Sequence, residues 1–99
     1  MQIINIIESS RKNKRFRIIM SNDQYFDFGL LNGQTYIDHH NQNKRTNYLK
    51  RHMANPKEKY LINNLIPSAF LFSAKLLWGK FKTINKNINE LNKLLINKY

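Results

Sequence analysis

The sequence predicts a small α+β domain: an N-terminal antiparallel meander of three to four strands, followed by about three helices. Three observations predict it. Apolar residues alternate with polar ones at period two up to about residue 38, then recur at helical spacing from about residue 42. Turn-forming clusters divide the first part, at Ser9–Lys14, Ser21–Gln24 and Asn32-Gly33. The 99 residues carry no internal repeat and no linker long enough to separate two units. The chain therefore reads as one domain over residues 1–99, with the meander at about 2–38 and the helical part at about 42–98. A chain of this size buries roughly two-thirds of its unfolded surface, enough for one modest core.

Ile3–Glu8 is rich in β-branched residues and suits a strand. After the polar turn Ser9–Lys14, Arg15 and Arg17 alternate with Phe16 and Ile18, as on a half-buried strand. Tyr25–Leu30 makes a third strand, with Phe26, Phe28 and Leu30 on one side and Tyr25, Asp27 and Gly29 on the other. Gly29 suits a bend or bulge, and Asp27 suits pairing with a nearby cation. Past Asn32-Gly33, Gln34–Asp38 suits a short fourth strand.

Gln42–Met53 then reads as a helix that ends ahead of Asn55-Pro56. At 100° per residue, Lys44, Arg45, Tyr48, Arg51 and His52 share about one third of the circle, with Leu49 and Met53 opposite. Lys57–Asn64 suits a further helical turn. Pro67 suits a first helical residue and Gly79 the position just past a helix end. The residues between them are apolar nearly all round, which predicts a buried central helix with Phe70, Phe72 and Trp78 in the core. Trp78, at the end, suits the edge of that core, its N–H reaching a carbonyl. Thr83 can cap a last helix whose stripe is Ile84, Ile88, Leu91 and Leu95, with Glu90 exposed between Lys86 and Lys93.

The formal net charge is +11, from 17 basic and 6 acidic residues. Such a surface attracts polyanions, nucleic acid above all. Asn, Ile and Lys supply 39 of the 99 residues, so part of the lysine content follows an AT-rich composition. There is no cysteine, which excludes a disulfide framework and thiolate zinc ligation and suits a reducing compartment. The start, MQIINIIESS, lacks the basic, apolar and small-residue order of a signal peptide, and no apolar run approaches the roughly 20 residues of a membrane span. A soluble, non-secreted protein inside the cell is expected.

The strongest candidate surface is basic and aromatic: Arg15, Arg17, Lys44, Arg45, Tyr48 and Arg51, with Lys12 and Lys14 extending it. Lys and Arg neutralise phosphates, and a tyrosine stacks on a base or donates to a phosphate oxygen. Nothing in it specifies base readout. The expected function is therefore non-enzymatic binding of a DNA or RNA backbone, with no cofactor and no metal. One alternative is a minor virion or scaffold protein, whose basic face meets an acidic partner and whose last-helix stripe packs on a second copy. A third reading is a metal-dependent nuclease of the HNH type, built from His39 or His40 with Asn47 and His52. Asp38-His39-His40 and Asp27-Phe28-Gly29 also spell phosphoesterase and kinase signatures, but the companion motifs those enzymes need are missing.

Five segments in order carry a resemblance: IIESSRKNKRFRI at Ile6–Ile18, FDFG at Phe26–Gly29, TYIDH at Thr35–His39, KRTNYLKRHM at Lys44–Met53 and IPSAFLFSAKLLWGK at Ile66–Lys80. Together they resemble a family of small basic proteins encoded by nucleocytoplasmic large DNA viruses, among them relatives of mimivirus, marseillevirus and the chloroviruses. The resemblance spans about Ile3 to Lys82 and carries over no catalytic residue. It implies a viral protein of the host cytoplasm or viral factory, or of the virion.

Overall fold

The computed structural model describes residues 1–99. Strands β1 (Ile3–Glu8), β2 (Lys14–Met20) and β3 (Tyr25–Leu30) form an antiparallel sheet in the order β1-β2-β3. Register follows the alternation in the sequence. Ile6 pairs with Ile18, Ile7 with Arg17, Phe16 with Phe28 and Arg17 with Asp27. Ile18, Met20 and Phe28 thus fall on one face and are fully buried, while Arg17 and Asp27 meet on the other. The β1 edge carries a bulge between Ile3 and Asn5. There the Asn92 side chain stands in for a neighbouring strand: its Oδ1 accepts from Ile3 N at 2.7 Å and its Nδ2 donates to Ile3 O at 3.0 Å. Gly29 adopts φ +79°, and a Cβ there would lie 2.9 Å from Leu77 Cδ1. Glycine therefore serves both the bend in β3 and the close approach of the helical layer.

The helices are α1 (Tyr36–His39), α2 (Gln42–Met53), α3 (Pro56–Asn63), α4 (Ala69–Phe72), which runs on as a π-helical stretch over Ser73–Leu77, and α5 (Ile84–Lys98). They cover one face of the sheet. The core is Ile3, Ile18, Met20 and Phe28 from the strands against Leu71, Phe72, Leu76, Leu77, Leu91 and Leu95 from the helices. At about 1.5–3 kcal/mol per large buried side chain, this one cluster supplies most of the favourable burial. Thr83 caps α5, as expected, and Glu90 approaches Lys93. No helix is long and apolar enough to cross a membrane.

Four expectations need correction. The fourth strand does not form: Gln34–Asp38 leads into α1, because Asp38 Oδ2 accepts from Thr35 N at 2.9 Å and closes a helical first turn. Pro67 precedes the helix rather than opening it, since the Ser68 hydroxyl accepts from Leu71 N and takes the cap. Phe70 is not core: it is 41% exposed, because one turn cannot turn Phe70, Leu71 and Phe72 all inward. The α5 stripe is not free to meet a second copy. Leu91 and Leu95 are fully buried, and Ile84 and Ile88 pack beside them.

Candidate functional site

Chain geometry brings the end of β3, the first turn of α4 and one side of α2 around a cleft of about 400 Å³. Lys14 of β2 and Arg51 of α2 line it, together with His52, Tyr48, Phe70 and Trp78. Its remaining wall includes Gly33 and Gln34 from the loop after β3. The helices that build it are locally well specified. Asn41 caps α2 by accepting from Lys44 N at 3.1 Å, and Asn55 caps α3 with Pro56 as its first residue. His52 and Glu58 bridge the two helices at 3.1 Å.

The aromatic wall is a stack. Tyr48 and Trp78 lie 4.3 Å apart with 5° between their planes, and His52 follows at 4.1 Å from Tyr48. On the far side His39 sits 5.3 Å from Trp78. Burial, with some help from the Glu58 charge and against that of Arg51, pushes the Tyr48 phenol up to about 12. It therefore stays a protonated donor at any physiological pH. Arg51 lies 5.9 Å over the same ring and has no carboxylate partner.

Of the six predicted residues, the structure gathers Lys44, Tyr48 and Arg51 along one side of α2, one turn apart. The other three are engaged elsewhere. Arg45 donates from Nε to Trp78 O and Gly79 O, both at 3.0 Å, and so holds the exit of the π-helical stretch. Arg17 forks onto Asp27 at 2.9 and 3.1 Å on the sheet's outer face, with its guanidinium 4.1 Å over Tyr25. Arg15 forks onto Asp38 at 2.7 and 2.8 Å. Paired in this way, Arg15 and Arg17 present little net charge to a phosphate. Lys14, read as an extension of the patch, is instead on the cleft wall. Trp78 packs at the edge of the core, as expected, and tertiary packing places it with the exposed Phe70 on the cleft wall. The Trp78 indole N–H has no carbonyl partner; the ring is held by stacking instead.

The three histidines are not gathered into one cluster. His39 Nδ1 accepts from Asn41 N at 2.9 Å, His52 is bound to Glu58, and no three His, Asp or Glu side chains cluster to hold a metal ion.

The Arg15–Asp38 pair has a measurable consequence. The guanidinium, aided by the Thr35 N–H and hydroxyl and opposed by burial, holds the Asp38 carboxyl well below the usual carboxylate range. Below about pH 4 the unfolded chain binds a proton there that the folded chain does not, so stability is full above that pH and falls as acid is added. With discount for partial exposure the contribution is about 1 kcal/mol. Asp27, held low in the same way by Arg17, adds to the acid slope, so denaturant midpoints followed from neutral pH down to about pH 2 should show a shallower slope in Asp38→Asn than in the parent.

No curated protein and no solved structure gives a significant match to the chain. Residues 4–52, which run from β1 through all but the end of α2 and contain Lys14, Lys44, Tyr48 and Arg51, are similar to a family of unknown function (DUF5754).

Proposed function

We propose that this is a non-enzymatic, virus-encoded nucleic-acid-binding protein that holds a DNA or RNA backbone on the basic-aromatic side of α2. One observation carries the reading: Lys14 and Arg51, neither paired with a carboxylate, line the same cleft beside Tyr48. Four of the six acidic residues are already engaged by Arg15, Arg17, His52 and Lys93, so little negative charge remains to offset the other cations. The viral origin rests on the resemblance of the five segments. Lys44, one turn before Tyr48, extends the surface along a bound strand. The test is binding of labelled oligonucleotides across a salt series. For about four neutralised phosphates, log K falls with log salt at a slope of about −3 on a single strand and about −4 on a duplex. Absence of binding at low salt overturns the proposal.

A second reading, a minor virion or scaffold protein, is favoured by the outer face of the sheet. Ile4, Ile7 and Tyr25 are exposed at 58%, 42% and 57% on strands that no helix covers there. Stoichiometric co-purification with capsid components after nuclease treatment would select it.

A further inference from the structure

We infer that the cleft is a subsite for one unpaired nucleobase, so that the protein prefers single-stranded to duplex nucleic acid. The inference rests on the nucleic-acid reading above and adds the state of the strand.

A cleft of about 400 Å³ lies at the small end of ligand-binding cavities, the size of one nucleotide rather than of a double helix. In a duplex the bases are stacked and paired inside, and only the phosphates reach a protein surface of this shape. A duplex laid across the rim would touch Lys14 and Arg51 and leave the aromatic wall unused. A single strand can turn one base inward.

The wall is suited to that base. Tyr48 and Trp78 each have one face covered by the other, and His52 and His39 crowd them further at 4.1 and 5.3 Å. Phe70 is different. Its neighbours Leu71 and Phe72 are fully buried, yet Phe70 is 41% exposed and lines the cleft. It is the most exposed aromatic side chain on this wall, and a solvent-exposed ring can stack on any base. In the same lining, Gln34 is exposed, and its side chain, able to donate and to accept, makes no hydrogen bond within the chain. Tyr48, with a phenol hydroxyl that can donate and accept, belongs to the same lining. Together these grip a base without demanding which one, while Lys14 and Arg51 hold the flanking phosphates.

Electrostatics alone would give the opposite preference. Duplex DNA has the higher charge density, and each neutralised phosphate releases more counterion there than on a single strand. A preference for the single strand can therefore come only from contacts to bases.

The probes are an oligothymidylate of about 15 nucleotides and the same strand annealed to its complement, each titrated into the full chain at one salt concentration. Trp78, the single tryptophan, reports occupancy of the cleft by its fluorescence. The expected result is at least about tenfold tighter binding of the single strand, with a change in Trp78 emission. Phe70→Ala should weaken the single strand about tenfold and leave the duplex within about twofold. Phe70→Leu, which keeps apolar bulk at this exposed site but no ring, should do the same. Equal binding of the two probes, unmoved by either substitution, overturns the base subsite and leaves backbone binding standing. Failure of both probes to bind at low salt overturns the nucleic-acid reading and this inference with it.

Discussion

Replacing Gly79 with alanine is expected to cost about 4 kcal/mol of stability and to lower the melting temperature by roughly 15–30 °C. Gly79 is buried where the π-helical stretch ends, and its backbone torsions are ordinary for any residue. The constraint is space. A Cβ there would collide with the Lys75 carbonyl oxygen and come within 2.6 Å of the Asn87 side chain. Lys75 O belongs to the helix backbone and cannot retreat. Asn87 cannot retreat either, because it is only 2% exposed and makes three hydrogen bonds of 2.9 Å. Its Oδ1 accepts from Phe81 N, and its Nδ2 donates to Leu76 O and Phe81 O. Displacing it leaves buried backbone groups unpaired, at about 1–3 kcal/mol each. Against a total of about 5–10 kcal/mol for a domain of this size, most of the fold's margin goes. Gly33→Ala is the comparison: its Cβ would meet Leu30 Cβ at 3.2 Å, a contact a turn can relax. A Gly79→Ala protein that melts within about 3 °C of the parent would overturn this account. The same turn carries Trp78, so the stability defect and distortion of the cleft should appear together.

Local chemistry made the meander legible. Alternation set the strand faces, SNDQ and the Ser9–Lys14 cluster set the hairpins, and Gly29 and Asp27 took the roles their types suggest. Thr83 and the Glu90–Lys93 pair were legible for the same reason: their partners lie within one helical turn. Where local signals competed, the reading failed. Thr35 and Asp38 stand at capping-box spacing, and this outweighs the alternation of Gln34–Asp38 that suggests a strand. The π-helical stretch was out of reach, because an apolar run reads as ordinary helix. Its exit is fixed by Asn87 and Arg45, 11 and 33 residues away. The cleft was half legible. Helical spacing grouped Lys44, Tyr48 and Arg51 correctly. With no strongly apolar face, however, α2 does not disclose which sector turns inward, and Arg45 and Tyr48 turned out to lean on Trp78. Phe70 is the converse: hydrophobic, in the most apolar segment, and exposed.

If Lys14 and Arg51 hold two phosphates, replacing both with glutamine should flatten the salt slope on a single strand by about 1.4, to about half the parent value. Affinity at low salt should fall by one to two orders of magnitude, roughly. The pair is chosen for what it leaves intact. Arg45 shares the α2 surface, but its Nε holds the Trp78 and Gly79 carbonyls, so its removal would confuse binding with folding. Arg15 and Arg17 would each strand a carboxylate. Lys14 and Arg51 have no such partners, and both line the cleft. Adding Lys44→Gln should flatten the slope by about a further 0.7 if the strand continues along α2. The control is Lys82→Gln with Lys86→Gln. These lysines are exposed just before and in the first turn of α5, which contributes nothing to the cleft, and the change in net charge is the same. Were binding a diffuse response to the +11 charge, the two doubles would weaken it alike. A defined interface predicts that only the cleft pair changes the slope, because counterions are released where phosphates are held. An unchanged slope in the Lys14, Arg51 variant, and in the triple variant with Lys44→Gln, would move the interface off the cleft and α2 altogether.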